Sequence, residues 1–349
     1  MTGQRPQPPR KPQPANSSSP DLPNKPYELI PFPRKPPILQ PPAGHDRYFI
    51  DHIHGTIKLT LTVKTAVHIS TGIVALGTDV GSASALIKTM MQGTERQLTI
   101  PGSSLKGVVR SMYETITNST LAVVTGKYRN MMPSERLPCK DKRKLCPASL
   151  LFGALDWQGL VQFSDAKCQK ASSVTGFMPS MYRPRPQEGR AYLDGRGKAV
   201  GRKFYFHAAK AVDGGQRGVP IQQAGTEYAF TTQIQFMNLT QAQLGTLFIV
   251  LGQDEQNPLT LKVGGGKPIG MGTMTITVTS IDQAQNLHDR YRHYAVPVST
   301  QLTKEMLTAF IQACVTTAHK SKLVEEPQLQ HLSQILKFPT DRQAPTEPY

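Results

Sequence analysis

Gly264-Gly265-Gly266-Lys267-Pro268-Ile269-Gly270-Met271-Gly272 holds five glycines in nine residues. With no Cβ in the way, the backbone N–H groups of such a loop can close on a bulky anion, and Lys267 adds charge. No Lys-Ser/Thr pair closes the stretch and no helical pattern follows, so it is not a Walker loop, nor is it a dinucleotide fingerprint. A ligand-free strand connection is the blander alternative. A second basic segment is Ile100-Pro101-Gly102-Ser103-Ser104-Leu105-Lys106-Gly107-Val108-Val109-Arg110. A Ser N-cap opens a helix here, with Leu105, Val108, Val109, Met112 and Ile116 at a 3.6-residue period. Lys106 and Arg110 stand four apart near its positive end, where a phosphate is welcome, unless both are ordinary solvated charges. A third segment, Ser70 to Ser84, is rich in Gly, Ser and Thr and carries one carboxylate, Asp79. A polar loop directly after a core strand is often functional.

These segments need elements to position them. Residues 54–69 alternate, with Ile57, Leu59, Leu61 and Val63 on one face, as a half-buried strand does. A strand follows over 159–165 and another over 226–237. Thr240 with Gln243 forms a capping box for a second helix, whose stripe is Leu244, Leu247, Phe248 and Leu251. A strand over 273–281 follows the glycine loop, and an amphipathic helix over 303–318 precedes a polar tail. The order is strand, helix, strand, strand, helix, strand. That predicts an α+β, ferredoxin-like (RNA-recognition-motif-like) domain over 48–285. Residues 1–47 are Pro-rich and basic and read as a disordered arm, with Tyr27, Leu29, Ile30 and Phe32 able to pin its second half. Residues 286–349 read as a C-terminal helical segment and tail. Two insertions stand out, at about 118–148 and 170–200. The second mixes Met178, Met181, Tyr182, Arg183, Arg185, Arg190 and Tyr192, a composition suited to a hairpin that grips a nucleic-acid backbone and wedges against bases. A mobile surface loop is the alternative.

Composition narrows the partner. Lys and Arg total 40 against 24 Asp and Glu, a net charge of +16 over 349 residues. That excess favours a polyanion through counterion release. No apolar run is long enough for a transmembrane helix, the opening lacks a secretory pattern, and four irregularly spaced cysteines suit a reducing, cytoplasmic setting.

Ile100 to Gly107 with Arg110, Cys146-Pro147 through Leu151-Phe152-Gly153, Phe163-Ser164-Asp165-Ala166 and the Gly264–Gly272 loop stand in one order. Together they resemble the RAMP superfamily of CRISPR-associated proteins. Gly201-Arg202-Lys203-Phe204-Tyr205 is similar to what members in type III effector complexes show. The resemblance implies a ferredoxin-like RNA binder that polymerises along a guide RNA, holds its phosphates in a groove and pushes a thumb hairpin through the guide–target duplex. Guide RNA, target RNA and other effector subunits would be its partners, with no membrane. The family's helix start maps onto Ser103, Ser104, Lys106 and Arg110, its glycine loop onto Gly264, Gly265, Gly266, Lys267, Gly270 and Met271, and its thumb onto about 172–200 with Arg183 and Arg185. Arg202 and Lys203 join the RNA-binding set.

Such subunits can also cut target RNA, by in-line attack of a ribose 2′-hydroxyl helped by an acid in the loop after the first strand, with a divalent metal such as Mg where cleavage is active. Asp79 is the candidate, as the only acid between Ile57 and Glu95. The family's position aligns instead with Ala83 or Ser84, and a turn-stabilising role for Asp79 stays open. Relatives often carry Cys-Pro-x-Cys where this chain ends in Ser149. Cys139, Cys146 and Cys168 would need a further zinc ligand such as His207, and reduced thiols are the favoured reading. A standalone guide-processing endoribonuclease and a non-catalytic capping subunit are the alternative functions.

Overall fold

The computed structural model describes residues 26–170, 172–179, 192–284, 292 and 299–346. Its centre is an antiparallel sheet in which Ile53–Val63 lies between Thr273–Ala284 and Ala229–Leu239. Val161–Phe163 and Ala166–Cys168 extend it beyond Ala229–Leu239. Leu261–Lys262 and Ser299–Leu302 flank the other edge. The expected alternation holds along the central strand. Ile57, Leu59, Leu61 and Val63 are buried, while Thr56, Lys58, Thr60 and Thr62 face outward and are half-exposed. One face of the sheet therefore needs a helical cover.

Helix α1 (Gly102–Ile116) and helix α3 (Gln241–Val250) supply that cover; between them in sequence comes the short α2 (Pro147–Phe152). α1 follows the first core strand and buries Leu105, Val109, Met112 and Ile116. Its start differs from the expected serine cap. Pro101 stands at the cap, and the N–H of Gly102 donates to Asp165 Oδ1 at 2.8 Å. Serine is displaced because the helix end is driven against the 163–165 turn. A Cβ on Gly102 would lie 2.1 Å from the carbonyl oxygen of Phe163. α3 has the expected capping box, with Thr240 Oγ1 accepting from Gln243 N–H at 3.2 Å. It is buried on nearly every side rather than along one stripe, because α4 (Lys304–Lys320) packs on its back.

Two expectations about the chain ends are corrected. Tyr27–Pro31, inside the expected disordered arm, is a strand paired antiparallel to Gly201–Tyr205, with Ile30 buried. Its apolar residues and backbone bonds outweigh the prolines on either side. Downstream, the expected frayed tail contains α5 (Glu326–Leu336), which buries Leu329, Leu332, Ile335 and Leu336 on α1 and on the N-terminal strand. Glutamines and a histidine between those apolar positions hide the helical period. Ile30, Cys314 and Leu329 all belong to one core with Ile57 and Leu247, so the C-terminal helices complete the domain rather than follow it. Nor is 118–148 wholly an excursion: Arg136 is buried there and donates to the carbonyls of Pro33 and Lys35.

A second sheet stands off the core. Ser70–Leu76 and Leu86–Met90 form a hairpin, Leu86–Met90 touches Val219–Gln223 in parallel, and Val219–Gln223 pairs with Val174–Met178. It brings the Asp79 loop and the base of the 170–200 insertion into one unit.

Candidate functional site

The glycine stretch is a tightly built corner between Leu261–Lys262 and Thr273–Ala284. Its backbone folds onto residues 65–68, where Gly265 N–H donates to His68 O at 2.9 Å and Gly272 N–H to Ala66 O at 2.9 Å. Of eight N–H groups (nine residues less Pro268), five donate inside the protein: those of Gly265, Ile269, Gly270, Met271 and Gly272. The expected open cradle of amides is thus largely closed on its own chain. Gly272, at φ +91°, is demanded outright, since a Cβ there would stand 2.1 Å from Val263 O. Lys267 is half-buried at the turn, and burial lowers the pKa of its ammonium.

At the start of α1, Ser103 is exposed while Ser104 and Lys106 are half-buried. Burial, and then the nearby Arg110, lower the Lys106 pKa, which makes a counter-anion favourable there. Arg110 itself points inward. Its Nε donates to Glu114 Oε1 at 2.8 Å and its Nη1 to Gly153 O at 2.9 Å. Arg202 donates from Nη1 to Glu114 Oε2 at 2.6 Å and from Nη2 to the carbonyls of Ser119 and Thr120. Both guanidinium groups are thus committed to one buried carboxylate and to backbone. The neighbouring Lys203 has its Nζ 3.9 Å from the Tyr27 ring centre and 4.7 Å from that of Tyr205, a cation–π cage.

Asp79 is exposed on a 3₁₀ turn, Gly77–Val80, at the tip of the hairpin. The turn is closed by backbone, with Gly77 N–H donating to Ala85 O and Ser82 N–H to Gly77 O. Among the described residues the Asp79 carboxylate accepts no hydrogen bond, so the turn-stabilising reading has no bond to rest on. Between this second sheet and the core runs a cleft of about 260 Å³, with Lys64, Lys210, Met178 and Met271 among its walls. Arg183 and Arg185 lie outside the described residues.

Cys139 and Cys146 sit side by side, where Cys146 N–H donates to Cys139 Sγ at 3.4 Å and Cys146 Sγ to Ser149 Oγ at 3.3 Å. Cys168 lies on the core sheet opposite Phe230. Both ring nitrogens of His207 are engaged, by Thr273 Oγ1 and Thr260 O. Among the described residues no group of three or more His, Cys, Asp or Glu is placed to hold a metal ion. No third ligand among the described residues, then, joins Cys139 and Cys146, and no second acid or histidine joins Asp79. Sequence reasoning missed Glu114, which looks like one more helix charge, and Lys262, a single lysine inside the apolar run Leu259–Val263.

A model of the RAMP superfamily matches residues 60–275, from the central strand Ile53–Val63 to the start of Thr273–Ala284. No curated protein matches the chain. Among matching solved structures is a chain of the "Cryo-EM structure of the Type III-B Cmr-beta bound to cognate target RNA". It is 15% identical, covering 66% of this chain and 61% of that one, with a TM-score of 0.36. This chain thus spans about three fifths of that one's length, and the likeness is too distant to carry functional argument.

The geometry makes two predictions about stability. Glu114→Ala leaves two desolvated guanidinium groups without their carboxylate and is expected to cost about 3–5 kcal/mol by chemical denaturation; replacing all three charges with Met or Leu should recover most of that loss. In the glycine corner, Gly272→Ala is expected to lower stability by about 1–3 kcal/mol from forced strain. Gly265→Ala, whose Cβ would meet nothing closer than His68 O at 3.7 Å, should melt like the wild type.

Proposed function

Since the chain belongs to the RAMP superfamily, we propose that it is a guide-RNA-binding backbone subunit of a type III CRISPR effector complex. The observation that carries this reading is the family match, which takes in α1, the glycine corner and the core sheet together. The order of core strands supports a ferredoxin-like reading. The last strand lies beside the first, the first beside the third and the third beside the second, with α1 after the first and α3 after the third. A net charge of +16 suits a polyanion.

The geometry revises the roles within that reading. Ser103, Ser104, Lys106, Lys203 and Lys267 would meet phosphate, together with the corner's three remaining amides. Arg110 and Arg202 act as positioning residues, holding α1 in place through Glu114. Backbone of the corner shapes the surface more than it binds, because most of its donors are spent. Arg183 and Arg185 are assigned to the thumb on composition and family position. Partner subunits and target RNA would meet the second sheet, whose hairpin carries exposed Ile73, Val74, Leu76 and Leu86.

Binding is tested by titrating a short guide RNA into the chain at several salt concentrations. Lys106→Ala with Lys267→Ala should weaken binding at least about tenfold at low salt and reduce the slope of log K against log salt by about 1.4, the share of two phosphate contacts on a single strand. Unchanged affinity and slope would remove both lysines from the interface.

Target cleavage is a second reading, favoured by the exposed and unbonded carboxylate of Asp79. Asp79 would accept the proton of a ribose 2′-hydroxyl as the 2′-oxygen attacks the adjacent phosphorus, and the 5′-oxygen leaves with a proton taken from solvent water, giving a cyclic phosphate and a 5′-hydroxyl. Asp79→Asn keeps the shape and removes the base. It should slow cutting of a complementary RNA by about 10²-fold or more while guide affinity stays constant. Cutting at the wild-type rate would clear Asp79 of any role.

A further inference from the structure

Lys262 occupies the strand that leads into the glycine corner and is only 5% exposed. Its Nζ makes no hydrogen bond among the described residues. The side chain lines a cavity of about 90 Å³ between α1, the strand Gly201–Tyr205 and the corner, with Met112, Ser111, Lys203, Lys267 and Leu336 around it. Three lysines and no carboxylate border this space. A buried ammonium without a partner costs several kcal/mol in an apolar setting, and a second lysine beside it raises that cost. Desolvation, and then Lys267, push the Lys262 pKa down to about 7. A core position that holds a lysine at such cost, on the wall of a cavity also bordered by Lys203 and Lys267, is one that an anion would stabilise.

We propose that this cavity is a binding pocket for a phosphoryl group, with Lys262 as its buried counter-charge and Lys267 as its second cation. Size supports the class of ligand. At about 30 Å³ per water, the cavity holds roughly three waters' worth, room for a tetrahedral oxyanion, whereas drug-sized ligands need about 300 Å³ or more. The phosphoryl group has two sources, free phosphate or a phosphate of bound RNA. Lys267 is shared with the proposed RNA surface, and only the second source rests on the RNA-binding reading.

Thermal unfolding of the RNA-free full chain tests the pocket directly. Inorganic phosphate should raise the wild-type Tm by about 2 °C at ten times its Kd, and sulfate should do the same, while chloride at matched ionic strength should not. Lys262→Met should melt above wild type without phosphate, having lost the lone buried charge, and should not respond to phosphate or sulfate. Lys262→Gln is a second charge-free variant, should methionine repack the cavity. A wild-type Tm indifferent to both oxyanions, or variants that respond as the wild type does, overturns the proposal. Competition then separates the sources. If an RNA phosphate fills the pocket, inorganic phosphate lowers RNA affinity in the wild type more than in Lys262→Met. If free phosphate fills it, RNA affinity falls equally in both. Loss of RNA binding in the Lys106/Lys267 variant and loss of the phosphate response in the Lys262 variants are separate readouts, so failure of either proposal leaves the other standing.

Discussion

Glu114 is the point on which the fold turns. A single buried carboxylate accepts from Arg110 on its own helix and from Arg202 on the strand that pairs with the N-terminal segment. Charge-assisted bonds of this kind are short and directional, and in a desolvated setting they fix orientation more than they add net stability. Here they fix α1 against Gly201–Tyr205. Arg202 also donates to the carbonyls of Ser119 and Thr120, at the beginning of the 118–148 segment. Beside it Arg136 reaches the carbonyls of Pro33 and Lys35, and both guanidinium groups stand against the Phe32 ring, at 5.4 and 5.7 Å from its centre. One knot of arginines thus ties helix, strand, insertion and N-terminal segment together. Two of those four parts, the insertion and the N-terminal segment, look irregular in the sequence.

With α1 locked, its exposed start and the glycine corner become a rigid surface. Rigidity at both places comes from spending polar groups internally. Asp165 takes the Gly102 amide, and residues 65–68 take the corner's amides. What remains facing outward is side-chain charge, and that charge is partly desolvated at Lys106 and Lys267. Partly desolvated cations bind an anion more strongly than solvated ones, because part of the desolvation cost is already met in the free protein. Lys262 carries the same logic to its limit, giving up stability in the folded chain for a site preorganised toward an oxyanion.

The second sheet follows another principle. It carries exposed apolar side chains, an exposed carboxylate and the base of the long basic insertion. It is tied to the core by a few bonds, among them His68 Nδ1 to Gln222 O at 2.7 Å and the Val67–Ala224 bridge. A firm core and a lobe that projects from it thus separate the proposed anion surface from the proposed partner surface.

Much of this was legible in the chain. Period-two alternation marked residues 54–69, of which the strand keeps those up to Val63, because a sheet with one covered face must alternate, and a side chain and its backbone together fixed the Thr240–Gln243 cap. The glycine corner was visible as a place where backbone comes close, since only glycine fits positive φ against a carbonyl. Sequence alone did not say what came close, and in the fold residues 65–68 of the chain itself take up part of the corner's backbone. Arg110 and Arg202 read as phosphate ligands because a charge in a sequence has no address. Their partner Glu114 is 88 residues from Arg202, and only folding brings the two within 2.6 Å. The same holds for Lys262, whose unpaired state depends on every neighbour that surrounds it. Composition and pattern determined which residues could bind an anion, and tertiary contact decided which of them were already taken.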